Sequence, residues 1–383
     1  MSRDDASPRE RPKPPHVGVD TDERPFVLVW EVTQACELAC DHCRADAQPN
    51  RHPDELTTEE GKRLLERARA FGDGQLVVLS GGDPLARDDI AELVSHGTDL
   101  GLRVTLTPSG TSSLTRERVE ELADAGLRRM ALSVDGASPA AHDDFRGEGG
   151  SFEETMAAAE FARDAGLPLQ INTTVCRRTV GELPGIRDIV SEVGAAMWSV
   201  FFLVPVGRGR LLDPVSPDRA DEVMEWLASV SDEEPFGLKT TEAPHYRRVR
   251  VQRRRAEADD GESGGGPPTG VSRRRGIVAG DGFAFVSHTG EIFPSGFLPE
   301  SVGNVREEDL VERYRESDLF ESLRDRDRLR GKCGACPFNR LCGGSRSRAY
   351  AHTGDPLGSD PLCPYVPPGY DGPTPTADGR TES

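Results

Sequence analysis

The sequence predicts an α/β protein, a parallel sheet curled into an incomplete six-unit barrel and followed by a small cysteine-rich domain. Short runs rich in Val, Leu and Ile alternate six times with amphipathic stretches between Arg24 and Val230, the pattern of parallel strands covered by helices. Right-handed crossovers would curl such units in one direction. Seven of the eight cysteines fall in two groups, one directly after the first strand and one near the C-terminus.

Residues 1–24 hold no apolar run and are expected as a disordered polar leader, not a secretory signal. The core barrel is placed at residues 25–236. Phe26–Val32 is its first strand, and the helix after it opens at Thr57 or Thr58, with acids in its first turn. Gln75–Ser80 with DDIAELVSHGTDLG, LRVTLTP with LTRERVEELADAG, and RRMALSVDG with SFEETMAAAEFARDAG give the next three pairs. PLQINTTV with ELPGIRDIVSEVG and MWSVFFLVPVG with PDRADEVMEWLASV complete the six. Residues 237–280 read as a linker or insertion, because Arg253–Arg275 is too rich in Gly, Pro and charge to bury a core. Residues 281–366 form the second domain, opening on a hairpin over Ala284–Gly296 that turns at Thr289–Gly290. Residues 367–383 are expected as a disordered tail.

A net charge of −19 would repel phosphates and argues against a nucleic-acid partner. Lysine occurs only at Lys13, Lys62, Lys239 and Lys332, so the acidic, lysine-poor surface looks like an adaptation to high salt rather than a substrate-binding feature. No stretch approaches the roughly 18 apolar residues of a membrane span, and a cytoplasmic location is expected. Thiols stay reduced there, so the grouped cysteines read as metal sites. Cys176 stands alone and reads as a buried core thiol.

Cys36, Cys40 and Cys43 are spaced CxxxCxxC in the loop after the first strand, where such folds gather their chemistry. Three thiolates can ligate three irons of a 4Fe–4S cluster and leave the fourth open. A zinc knuckle would want a fourth ligand and paired CxxC spacings, and His42 is the nearest other donor. The spacing resembles that of the radical S-adenosylmethionine (SAM) superfamily. The resemblance implies that the open iron binds SAM, that a reductant such as ferredoxin or flavodoxin feeds the cluster, and that a 5′-deoxyadenosyl radical forms. SGGDPL after the second strand is similar to the GGEP motif of that superfamily. Gly81 and Gly82 would let the backbone approach SAM closely, and Asp83 stands where Glu is usual. The resemblance extends SAM-binding roles to Ser109, near Thr107 at the end of strand three, to Ser133 and Asp135 after strand four, to Asn172 in strand five, and to Val206 in PVGRG after strand six. Read without it, each is a turn or strand-end residue.

Cys333, Cys336, Cys342 and Cys363 follow the spacing CxxC, five residues, Cys, twenty residues, Cys. This resembles the SPASM extension of radical SAM enzymes and matches the ligand set of one auxiliary 4Fe–4S cluster. A second would need cysteines where Ser295 and Ser345 stand, so one is expected. A structural zinc on four thiolates is the chemical alternative. The stretch CGGSRSRAYAHTGDPLGSDPLC looks most like the heme-tailoring branch, of the heme b synthase type. That branch implies a tetrapyrrole substrate and oxidative decarboxylation of a propionate, with hydrogen abstracted next to the carboxylate and the auxiliary cluster taking the remaining electron. SPASM enzymes that mature peptides share the architecture, so a peptide substrate is the alternative. A non-catalytic iron–sulfur carrier would need neither GGDP nor LSVDG. Arg208, Arg210, Arg247 and Arg248 are candidates to pair with propionates, beside an apolar slot at MWSVFFLVP. Arg146 is a candidate to contact SAM, and His245, Tyr246 and His288 to meet a heme iron or donate a proton.

Overall fold

The computed structural model describes residues 19–259, 276–375 and 381–382; most of the expected leader, the Gly-rich part of the linker and the end of the tail lie outside them. Two short strands in the expected tail, Thr374–Pro375 and Thr381–Glu382, pair with each other antiparallel, and the remaining strands are β1 (Val27–Thr33), β2 (Leu76–Gly81), β3 (Arg103–Leu106), β4 (Met130–Ser133), β5 (Leu169–Val175), β6 (Met197–Phe202), β7 (Gly237–Thr241), β8 (Phe283–Val286) and β9 (Ile292–Phe293). They form one sheet in the order β7-β6-β5-β4-β3-β2-β1-β8-β9. Every pairing within it is parallel except β8 with β9. The sheet is open, with β7 and β9 at its edges, as the incomplete barrel requires.

The helices are α1 (Thr58–Arg69), α2 (Ile90–Asp99), α3 (Arg116–Asp124), α4 (Pro139–Arg146), α5 (Ser151–Asp164), α6 (Leu183–Glu192), α7 (Pro217–Glu233), α8 (Tyr246–Asp259), α9 (Leu310–Glu316), α10 (Asp318–Arg324), α11 (Gly331–Ala335) and α12 (Arg346–Thr353). Thr57 caps α1 in a reciprocal box with Glu60, which satisfies two otherwise orphaned donors. Leu28, Trp30 and Val32 on β1 are fully buried in the core shared with α1 and α2. The period of two in a strand turns Val29, Glu31 and Thr33 to the opposite, inner face. On β6 the fully buried Trp198 packs edge-on against Trp226 of α7 and against Phe236. Ser199 therefore faces inward, in register with Ser133, Asn172 and Lys239.

Two strands go beyond the six expected units. β7 and α8 arise from residues read as linker, and GLKTT lacks the apolar run that would mark a buried strand. The hairpin turns as expected, with Gly290 at φ +92° donating to Ser287. Its first strand also pairs with β1, from Val27↔Phe283 to Trp30↔Val286, so the C-terminal region continues the barrel sheet.

Candidate active site: two cysteine sites at the carboxyl ends of the strands

β1 delivers the chain into a tight loop. The Cys36 amide donates to the Gln48 carbonyl (2.8 Å) and the Gln48 amide to the Gln34 carbonyl (3.0 Å). The buried Glu55 anchors its root, accepting from the Thr33 hydroxyl (2.7 Å), the Gln34 amide (2.9 Å) and Arg51 (2.7 Å). Cys36, Cys40 and Cys43 cluster here with Leu38 and Ala47. The Leu38 amide donates to Cys36 Sγ and the Ala47 amide to Cys43 Sγ, each at 3.4 Å, and Ser109 Oγ lies 3.6 Å from Cys36 Sγ. Burial pushes the Cys36 and Cys40 thiols up, while the charge of the buried Arg146 pulls both down. A trio of sulfurs lined by amides and backed by a cation suits thiolate ligands, whose protons the bound metal displaces.

The glycines of SGGDPL prove necessary for a reason the sequence did not reveal. A Cβ on Gly81, whose φ is +154°, would come 2.4 Å from the Thr33 carbonyl oxygen, and one on Gly82 would come 2.2 Å from that of Ala35. The motif is packed against the strand end that leads to Cys36. Its Asp83 is buried: the amide donates to the Ala35 carbonyl (2.6 Å), and the carboxylate accepts from the amides of Leu85 (3.1 Å) and Ser109 (3.3 Å) and the Thr111 hydroxyl (3.4 Å). Burial raises Asp83 to about 6 against the pull of those hydrogen bonds.

Asp135 lies buried just past β4. Its carboxylate accepts from the Thr174 amide (2.7 Å) and from Arg146 (3.3 Å), and His42 Nε2 approaches to 3.9 Å. His42 stacks on Phe145 with centroids 4.7 Å apart, and burial lowers its imidazole to about 4. Arg146 thus pairs with Asp135 while its charge bears on the three thiols. Ser133 and Asn172 are register neighbours on the inner face. Val206 is buried in the turn after β6, where a Cβ on Gly207 would come 2.4 Å from the carbonyl oxygens of Cys43 and Arg44. The structure gives Arg208 a task other than a propionate clamp. Its amide donates to Cys43 O (3.0 Å), its Nε to Cys40 O (2.9 Å) and its Nη1 to Ala47 O (3.1 Å), stapling the cysteine loop to the end of β6.

Cys333, Cys336, Cys342 and Cys363 line one small cleft, partly open to solvent, with Arg248, Lys332, Phe338 and Tyr365. Amides again reach the sulfurs: Asp360 to Cys333 (3.3 Å), Phe338 to Cys336 (3.4 Å) and Gly344 to Cys342 (3.4 Å). Burial drives the Cys342 thiol far up and the Cys363 thiol to about 12, Arg248 pulling back on the latter. Lys332 donates to the Cys363 carbonyl. These surroundings fit a set of metal-bound thiolates and disfavour free thiolates.

Several residues that join the two sites went unread in the sequence. Arg348, buried, donates to the carbonyls of Phe202 (3.1 Å) and Leu203 (3.2 Å) at the end of β6 and pairs with Asp360 (3.3 Å). Asp360 also accepts from the Ser345 amide (2.8 Å), and despite its burial Arg348 and His245 hold it at about 2. Glu242, at φ +55°, accepts hydroxyl bonds from Ser347 (2.9 Å), Ser295 (3.4 Å) and Ser345. Arg348 and Asp360 lie inside the motif string, so their signal was present; the backbone of Glu242 left none. Most of the candidates for propionate or heme contact sit against groups of the chain itself. Arg248 chelates Asp221 at 2.6 Å beside the C-terminal cleft, His245 is fully buried 4.0 Å from Asp360, Tyr246 donates to Leu227 O (3.5 Å), and His288 meets Glu31 at 2.6 Å. Arg210, a candidate propionate partner, is exposed, and Cys176 is buried, as read.

An open α/β barrel with three clustered cysteines after its first strand and a glycine motif packed beneath them defines a SAM-dependent iron–sulfur enzyme. Residues 30–186 match the model of the radical SAM superfamily. The chain is 42% identical to the AdoMet-dependent heme synthase of Methanosarcina barkeri over 343 residues, covering 90% of this chain and 97% of that protein. It is 39% identical to the AdoMet-dependent heme synthase of Nitratidesulfovibrio vulgaris, over 89% and 92% of the two chains. The crystal structure of Streptococcus suis SuiB bound to S-adenosylmethionine shares the fold, with a TM-score of 0.69 at 18% identity over 90% of this chain and 78% of that one. The protein therefore belongs to the radical SAM superfamily, among the relatives of the AdoMet-dependent heme synthases.

Proposed function

We propose that this enzyme completes a heme by oxidatively decarboxylating propionate side chains of an iron porphyrin. The carrying observation is the 42% identity to an AdoMet-dependent heme synthase across nearly its whole length. When bound, a 4Fe–4S cluster on Cys36, Cys40 and Cys43, together with SAM, supplies the 5′-deoxyadenosyl radical. The chain's own residues then have distinct tasks. Arg146 offsets the charge of the three thiolates and ties them to Asp135; Arg208 fixes the loop that bears them. Gly81, Gly82, Asp83, Ser109, Ser133, Asp135, Asn172 and Val206 form the SAM cradle of this reading.

Cys333, Cys336, Cys342 and Cys363 would hold an auxiliary 4Fe–4S cluster. The four thiols line one cleft, and their spacing resembles that of the SPASM extension, which supports that assignment. An electron carrier such as ferredoxin or flavodoxin would serve as reductant. The test is anaerobic turnover of iron-coproporphyrin III with SAM and dithionite, followed by mass spectrometry. Conversion of propionates to vinyls with loss of carbon dioxide is expected. A fully reconstituted enzyme that makes 5′-deoxyadenosine yet leaves every carboxyl in place would overturn this reading.

A further inference from the structure

Three cations on the inner face of the sheet have no part in the sites described above. Arg103 opens β3, Arg129 immediately precedes β4, and Lys239 lies in β7. Their neighbours fix the direction in which they point. Val104 packs on Gly97 of α2, fully buried Met130 joins the helix-covered core, and Lys239 is in register with inward-facing Ser199. Arg129 reaches across the concave face to Met197 Sδ on β6, at 3.8 Å.

Charge makes this grouping informative. The chain carries −19 overall, and most of its surface arginines are paired with acids. Among the described residues, the charge that bears on Lys239 is Arg129 and the charge that bears on Arg129 is Arg103, and no carboxylate is engaged with any of the three. Arg129 Nε is buried without a partner. Lys239 itself is exposed at the open edge of the sheet. Like charges brought together in a partly enclosed face repel, and an anion between them relieves that cost.

Position supplies the rest. Lys239 shares its row with Ser133 and Asn172 of the SAM cradle. Arg129 lies four residues before Ser133 on the same inner face, which at strand rise is about 13 Å toward the amino ends. β7 is an edge strand, and Lys239 is exposed on it.

We propose that Arg103, Arg129 and Lys239 form a carboxylate-binding site that grips a non-reacting acid group of the substrate while another is processed at the carboxyl ends of the strands. This rests on the tetrapyrrole reading, since a macrocycle with several propionates has acid groups on opposite rims. A site of this kind would select polycarboxylates over neutral or basic ligands and would orient the macrocycle in its plane.

The test is a Soret titration of reconstituted protein with iron-coproporphyrin III, without reductant, in wild type and in Lys239→Gln, Arg129→Gln and Lys239→Arg. Each glutamine variant is expected to bind about tenfold or more weakly for the lost charge-assisted contact, whereas Lys239→Arg keeps the charge and binds nearly as wild type. Iron content and SAM binding should match wild type in all three, because none of the three cations touches the cysteine sites. Wild-type affinity in both glutamine variants, with a wild type that binds well, overturns the site and leaves the tetrapyrrole reading standing. A wild type that takes up no porphyrin overturns that reading and the site with it.

Discussion

At the amino-terminal site three cysteines sit within eight residues of one loop, whereas the four carboxy-terminal cysteines are drawn from a span of thirty-one. The first loop is held from outside: Glu55 at its root, the SGGDPL backbone beneath it and the Arg208 staple across it. The second site has little apolar support of its own, a small cluster of Ala279, Leu298, Leu323, Leu329 and Leu357. It leans instead on Arg346, Arg348 and Asp360, buried charges that reach its sulfurs and the end of β6. The first arrangement holds three thiols in one loop from outside. The second gathers four around one cleft and ties them to the barrel.

The largest expected effect separates the two sites directly. Replacing Cys36, Cys40 and Cys43 together with Ala should reduce 5′-deoxyadenosine formation to background and lower iron from about eight to about four per chain. The fold should survive, since external contacts hold the loop. Finding one zinc and no iron in that variant would make the carboxy-terminal site a structural zinc.

Cys342→Ala should do the reverse. Dithionite-driven cleavage of SAM without substrate should stay within a few-fold of wild type, because the amino-terminal loop is untouched, but porphyrin product should disappear. The small core around residues 331–363 should also become open to limited proteolysis, since a metal site there contributes folding free energy. Unchanged proteolysis would show that the buried arginines suffice without metal.

A smaller effect is expected at the staple. Arg208→Ala removes two side-chain donors to carbonyls of the cysteine loop and should cost about 2–3 kcal/mol, the range for hydrogen bonds from a charged donor. Urea denaturation would measure it, and iron should leave the amino-terminal site first. Loss of porphyrin binding with unchanged stability would instead restore Arg208 as a propionate ligand.

This contrast also explains what was legible in the sequence. Local signals were enough for the six βα units, the hairpin and both cysteine groups, because each depends on periodicity or spacing within a short window. β7 was missed because GLKTT is half exposed at a sheet edge and carries no apolar run. α4 was missed because PAAHDDFR is short and polar between two stronger elements. The pairing of β8 with β1 joins residues about 250 apart, which no local pattern encodes. Arginine roles were read from proximity in sequence to strand six, yet Arg208 and Arg248 are spent on the cysteine loop and on Asp221. The cations without partners came from β3, β4 and β7, where nothing local distinguished them from surface charge.

The smallest effect divides the acid sensitivity of the protein between the two sites. Burial lowers His245 to about 3, and His42 and His142 to about 4. Each is therefore neutral when folded and binds a proton when unfolded, at an unfolded value near 6.5. A depressed histidine contributes stability that is complete above about 6.5 and is lost as pH falls toward its folded value. The slope is at most about 1.4 kcal/mol per pH unit for each group. Asp360, held at about 2, contributes stability that is lost only below the unfolded carboxylate value, outside the window from 6.5 to 5, whereas Asp83, raised to about 6, takes up its proton in the folded protein within that window and opposes the histidines. Melting temperatures across that window should fall in wild type. His245→Phe, next to the carboxy-terminal site, should remove about a third of the histidine contribution to the slope, and His42→Phe, stacked on Phe145 at the amino-terminal site, should remove a similar share. An undiminished slope in His245→Phe would mean that His245 gains its proton inside the folded protein, with Asp360 4.0 Å away as the partner that accommodates it.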